Sequence, residues 1–282
     1  MKRIEFKGAA GATLVADRIG KGRPVVLLHG AGQTRGSWRR TAQALADRGS
    51  QAITLDARGH GESDWAAGDY DFEVFVGDLR AVIDTLDEPP AVIGASLGGL
   101  TAMLAIGEAE RPIASALVLV DIATQINRSG AAAMGEFMRA NPNGFDSVEA
   151  AADAVSHYLP HRPRPSNITG LRRNLRERPD GRFYWHWDPK LFVNAGTDPG
   201  VITERLEAAA RKVAVPTMLV RGGRSEMVDD AALERFRELL PDARVVEVRD
   251  AGHMVAGDSN TIFADAVITF LDHVYPGKPK GL

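Results

Sequence analysis

The sequence predicts an α/β protein with a mostly parallel central sheet flanked by helices and one inserted helical segment. Three observations carry this prediction. Short apolar runs alternate with stretches of helical periodicity, the pattern that wraps helices around a parallel sheet. Several runs, such as Pro24-Val25-Val26-Leu27-Leu28, are apolar on both faces, as a strand covered on both sides must be. Between Gln125 and Thr203 the pattern changes to helical stretches without a good buried strand, and the strand pattern returns at Thr217.

Taken in order, Arg3 to Ile19 reads as two short strands around Gly8-Ala9-Ala10-Gly11. The strand Pro24–Leu28 leads into a loop holding Gly30, Gly32 and Gly36. A helix from about Trp38 to Arg48 follows, with Gly49 in the position that ends helices. Ala52–Asp56 is the next strand, and Arg58-Gly59-His60-Gly61 its exit loop. Asp71 can cap a helix whose apolar residues Phe72, Phe75, Val76, Leu79, Val82, Ile83 and Leu86 recur at intervals of three and four. Ala91–Ile93 is a strand, Leu97–Glu110 a helix and Ala116–Val120 a strand. In the insertion, Asp146-Ser147-Val148-Glu149 has the form of a capping box, and Asp180-Gly181 a turn into Arg182–Trp187. The end of the chain supplies the strand Thr217–Val220, a helix near Ala231–Leu240, the strand Ala243–Val248 and a last helix near Thr261–His273. Residues 1–122 and 204–282 therefore form one core, and 123–203 an insertion.

Composition narrows the function. The 282 residues carry a net charge of −3, which offers no electrostatic case for nucleic acid. No cysteine is present, so disulfides, thiolate metal sites and cysteine nucleophiles are excluded. No apolar run is long enough for a membrane span and no targeting segment is convincing, so a cytoplasmic protein is expected.

Gly94-Ala95-Ser96-Leu97-Gly98 matches G-x-S-x-G and falls between a buried strand and a helix, where a strained turn would raise a serine hydroxyl off the sheet. The bland alternative is a tight turn whose serine caps the helix. A serine nucleophile needs a base and donors for the developing oxyanion. Among seven histidines His253 is best placed, in Asp250-Ala251-Gly252-His253-Met254 after the last strand. His29 and His60, beside glycines, are of the kind that shape loops; His157 and His161 are separated by Pro160, which breaks a helix that would aim both at one metal. No metal site is expected. The oxyanion donors are the backbone N–H groups of Leu97 and Ala31.

The set His29-Gly30-Ala31-Gly32, Arg58-Gly59-His60-Gly61-Glu62-Ser63, Gly94–Gly98 and Gly252-His253 resembles the α/β-hydrolase superfamily. Within it the chain resembles the serine carboxylesterase and cofactor-free haloperoxidase-like branch with a helical cap. The resemblance spans nearly the whole chain and implies the α/β-hydrolase fold, a helical cap at 123–203, no cofactor, and a triad in the order serine, acid, histidine. The acid is where the sequence departs from the family, which usually places an aspartate after the strand matching Thr217–Val220. Here the loop reads Arg221-Gly222-Gly223-Arg224-Ser225-Glu226-Met227. Glu226 is the natural candidate, and Asp121, ending the strand Ala116–Val120, is its rival.

The resemblance implies cleavage of a carboxylic ester or related acyl bond of a small molecule, with C–C bond hydrolysis, lactone opening and perhydrolysis as variants on the same triad. His29, Trp185 and Trp187 are candidate substrate contacts, the tryptophans because an extended run would face both one way; a small core of the insertion's own is the other reading. The arginines of this block, Arg162 to Arg182, read as a solvated face, with attraction of an anionic substrate as the other reading. Two other classes are carried: a ligand-sensing homologue without turnover, and a dinucleotide-binding oxidoreductase using Gly30, Gly32 and Gly36 with Asp56 as ribose acid.

Overall fold

The computed structural model describes residues 1–125, 127–158, 168–172, 174–192, 199–225, 227–249, 251–252 and 260–275. Ten strands are found among them: β1 (Lys2–Lys7), β2 (Thr13–Gly20), β3 (Pro24–Leu28), β4 (Gln51–Leu55), β5 (Ala91–Ala95), β6 (Ala116–Val120), β7 (Leu175–Glu177), β8 (Phe183–Trp185), β9 (Thr217–Gly222) and β10 (Arg244–Val248). Eight of them form one sheet in the order β1-β2-β4-β3-β5-β6-β9-β10. The pairs β1/β2 and β2/β4 are antiparallel, and all others in this sheet are parallel. β1 and β10 are the two outer strands.

The helices are α1 (Arg39–Asp47), α2 (Phe72–Ile83), α3 (Leu97–Gly107), α4 (Arg128–Arg139), α5 (Val148–Tyr158), α6 (Thr169–Arg172), α7 (Pro199–Ala210), α8 (Asp230–Leu239) and α9 (Asn260–Val274). Strand alternation sends consecutive side chains to opposite layers. Val26, Leu28, Val92, Leu117, Leu119 and Leu219 face a core shared with α2, α3, α7 and α8. Val25, Leu27, Ile93, Val118, Val120 and Met218 face the opposite core, closed by α1 and α9. The runs that looked apolar on both faces are thus strands with a helical layer on each side. Asp71 caps α2 as the sequence predicts, accepting a hydrogen bond from the Val74 N–H.

Between β6 and β9 no described strand joins the main sheet. Two features of this stretch differ from the sequence reading. β7 and β8 pair as a small antiparallel sheet, with Trp185 opposite Leu175. The cap of α5 is Ser147, whose Oγ accepts the Ala150 N–H at 3.1 Å, while Asp146 is drawn away to an ion pair with Arg182. α7 straddles residue 204 and packs on α3 so closely that a Cβ on Gly107 would lie 2.2 Å from the Ala209 carbonyl oxygen. A third apolar cluster joins Phe75 to Met138, Phe145, Ala151, Leu175, Trp185, Trp187 and Leu191, and Ala31 and Leu97 pack against it.

Candidate active site

Ser96 follows β5 directly and precedes α3, with φ 47° and ψ −118°. A non-glycine residue in this left-handed region is strained and persists only where its surroundings over-determine it. The surrounding glycines show how. A Cβ on Gly94 would stand 2.4 Å from the Gly98 carbonyl oxygen, and one on Gly98 would stand 2.5 Å from that of Leu28. The turn is therefore compressed against its own helix and against β3. The Ser96 side chain makes no capping bond to α3, which sets aside the bland reading of the motif. Ser96 N–H donates to the Val120 carbonyl at 3.3 Å, so the serine stands at the carboxyl edge of the sheet beside the end of β6. Helix geometry leaves the first amides of α3, Leu97 among them, without intrahelical acceptors and at the positive end of the helix dipole.

Asp121, one residue past β6, also has positive φ, 49°, and is fully buried. Its Oδ1 accepts the Gly222 N–H at 2.9 Å and its Oδ2 the hydroxyl of Ser225, so the carboxylate is oriented by the loop that follows β9. Glu226 and His253 lie outside the described residues.

The loop after β3 approaches the serine: a Cβ on Gly30 would lie 3.3 Å from Ser96 Cβ. Three buried imidazoles hold this loop and the loop after β4. His29 Nε2 accepts the Ala57 N–H at 3.0 Å, which leaves its Nδ1–H to donate to the Gly30 carbonyl at 2.8 Å. His60 Nε2 accepts the Gly32 N–H at 3.1 Å, and its Nδ1–H donates to the Arg58 carbonyl. His186 Nδ1 accepts the Gly61 N–H at 2.9 Å, and its Nε2–H donates to the Gly32 carbonyl at 3.3 Å. Each ring needs one bare nitrogen, so all three are neutral. Burial lowers the pKa of each: that of His186 falls to about 4, and that of His60 well below the usual range with help from neighbouring His29 and His186. His29, read as a substrate contact, has 1% of its surface exposed and both nitrogens on backbone groups. Asp56 is engaged as well: it accepts the Arg35 and Glu62 N–H groups and pairs with the Arg35 guanidinium.

A family model described as the alpha/beta hydrolase fold matches residues 23–259. The chain is an α/β hydrolase. Over 280 residues the hydrolase is 30% identical to an esterase of Mycobacterium tuberculosis, covering 95% of this chain and 89% of that one. It is 29% identical over 256 residues to the sn-1-specific diacylglycerol lipase of Mus musculus, covering 88% and 80%. Its backbone matches the crystal structure of E-2-(acetamidomethylene)succinate hydrolase with a TM-score of 0.84 over 96% of this chain and 100% of that one, a likeness of fold at 24% identity. The dinucleotide-binding alternative falls with this result. The chain is an enzyme of the esterase-like branch, and the expected mostly parallel sheet with flanking helices is its fold.

In the hydrolase, the residues around β8 settle on the two histidine-held loops. Asp188 N–H donates to the Gly59 carbonyl at 2.8 Å, and Tyr70 donates to the Asp188 carboxylate at 2.9 Å. Arg176 donates to the Gly61 carbonyl at 2.9 Å. Trp185 and Trp187 stack at 4.7 Å and are buried, Trp185 edge-on to Phe145 and Trp187 against Gly32. The common facing of the two indoles was legible in the sequence; what they would face was not. His186, between them, went unrecognised because its partners lie 125 and 154 residues away. Among the described residues no helix is long and apolar enough to cross a membrane.

Proposed function

We propose that this hydrolase cleaves carboxylic esters of small apolar or aromatic molecules through a covalent acyl-enzyme on Ser96. The observation that carries the reading is the strained backbone of Ser96 at the sheet edge, its side chain not used as a helix cap. His253 is the base: it takes the proton from Ser96 Oγ as that oxygen attacks the carbonyl, then gives it to the leaving alcohol. The N–H groups of Leu97 and Ala31 receive the oxyanion. Water, deprotonated by the same imidazole, then releases the acid. No cofactor enters this cycle. Residues 123–203 act as a cap on the core, 1–122 with 204–282. The cluster under Ala31 and Leu97, with Trp185 and Trp187 in it, supports an apolar acyl or aryl group at the serine.

For the acid, family pattern points to Glu226 and a specific observation favours Asp121. The Asp121 carboxylate is buried, lies one residue beyond the carbonyl that holds Ser96, and is oriented by two donors. An acid that steers an imidazole needs such fixed orientation.

Ser96→Ala should lower turnover of a p-nitrophenyl ester by about 10⁴-fold or more and abolish fluorophosphonate labelling, with folding retained. Retained turnover removes Ser96 from the role. Asp121→Asn should cost about 10³- to 10⁴-fold in kcat, and Glu226→Gln far less. The reverse ranking assigns the acid to Glu226. A protein that labels once and holds its product without turning over is a ligand sensor.

A further inference from the structure

We propose that His186, contributed by the segment between β6 and β9, is a positioning residue for the oxyanion hole. The inference rests on the proposed role of the Ala31 amide, and its argument is geometric. A peptide unit is planar and trans, so holding its carbonyl fixes the direction of its N–H. The Ala31 N–H shares a peptide with the Gly30 carbonyl, which His29 Nδ1–H and the Gln33 N–H both hold, at 2.8 and 3.1 Å. The next peptide is fixed by His60, which accepts the Gly32 N–H. The third is held at both ends, its N–H by the Gly30 carbonyl at 3.1 Å and its carbonyl by His186, which donates to Gly32 O at 3.3 Å. Three successive peptides are thus each held by one imidazole, and only the last imidazole comes from outside the strand-end loops of the core.

Gly32 is the vulnerable point of this row. Its φ of 72° is a conformation that glycine adopts readily and that can swing if released. Met138 and Trp187 press against the side where a Cβ would be, but they offer no polar restraint. His186 adds a polar restraint on the Gly32 carbonyl itself, beside the Gln33 N–H bond to Gly30 and the His60 bond to the Gly32 N–H, and through its Nδ1 it also ties the loop to Gly61. The segment from β8 to Asp188 therefore completes the oxyanion loop from above.

Three variants test this with p-nitrophenyl acetate as substrate, active sites counted by end-point fluorophosphonate labelling. His186→Ala should lower kcat per labelled serine between about tenfold and hundredfold with KM changed less than about threefold, since a small misplacement of a catalytic donor has this cost. Binding of an alkyl boronic acid, whose tetrahedral adduct needs the same donors, should weaken by the same factor. His186→Gln places an amide N–H where Nε2–H stood and should restore most of the rate. His186→Asn keeps only the acceptor toward Gly61 and should not. The proposal is overturned if His186→Ala matches wild type per labelled serine, or if Asn and Gln restore activity equally, the sign of a purely structural role. Wild-type protein that neither labels nor turns over removes the hydrolytic reading itself, and this proposal with it.

Discussion

The sheet core and the segment that settles on it are held by different chemistry. Between the sheet and its two helical layers the contacts are apolar: Val25 and Leu27 on one side, Val26 and Leu28 on the other, each fully buried or nearly so. Where residues 176–188 meet the loops after β3 and β4, the apolar packing of Trp185 and Trp187 is joined by polar contacts aimed at backbone, at Gly32, Gly59 and Gly61. Apolar contacts are non-directional and resist loss of one member by number. A hydrogen bond to one carbonyl fixes direction and fails singly. The core therefore provides stability, and the loop contacts provide aim.

That contrast can be broken from either side. Phe236 of α8 is fully buried against the sheet core, and Phe236→Ala should destabilise the whole protein by about 4 kcal/mol, read from urea unfolding. Esterase activity of the molecules that remain folded should stay near wild type. Loss of activity per folded molecule would show that core and site are coupled after all.

Acid should act through the imidazoles. Each of His29, His60 and His186 has its folded pKa below the ordinary histidine value, through burial first. Stability is then fully present above about pH 6.5 and declines as pH falls toward each folded value, because the unfolded chain gains a proton that the folded one refuses. For His186, whose folded value is about 4, the loss between pH 7 and pH 5 is about 2 kcal/mol, and the other two add in the same direction. Unfolding curves at the two pH values check this; the dependence should shrink in His186→Gln. A flat profile from pH 7 to pH 5 would mean that these rings are not obligately neutral.

The smallest effect belongs to Tyr70→Phe. It removes the bond to Asp188 at 2.9 Å and leaves the Ala66 N–H without its acceptor, at a cost of about 1 kcal/mol. Limited proteolysis should detect it first around residues 183–192, with cutting of the sheet core unchanged. Uniform loss of protection would contradict a separate attachment of that segment.

The same contrast governs how much could be read from the sequence. The strands of the main sheet were legible because burial on both faces leaves uninterrupted apolar runs, and the elbow was legible because a strained turn between strand and helix demands glycine at fixed offsets. β7 was missed: only Leu175 of its three residues is buried, so no alternation exists to be read. The cap of α5 was misplaced by one residue because Asp146 and Ser147 both satisfy the local pattern, and only the distant Arg182 decides between them. The histidine row was half legible. His29 and His60 announce loop roles by their glycine neighbours, whereas nothing beside His186 reports the Gly32 carbonyl. Long-range polar pairing leaves no periodic trace.

The outer strands of the sheet have a consequence for assembly. β1 carries Lys2, Arg3, Glu5 and Lys7, and β10 carries Arg244 and Glu247, so charge of both signs lies along each margin of the sheet that the described residues form. Another chain adding itself there as a ninth strand would have to strip water from those groups, a barrier proteins commonly raise against sheet-to-sheet growth. Sheet-to-sheet growth of the hydrolase through its own backbone is thus opposed by the cost of drying those charges.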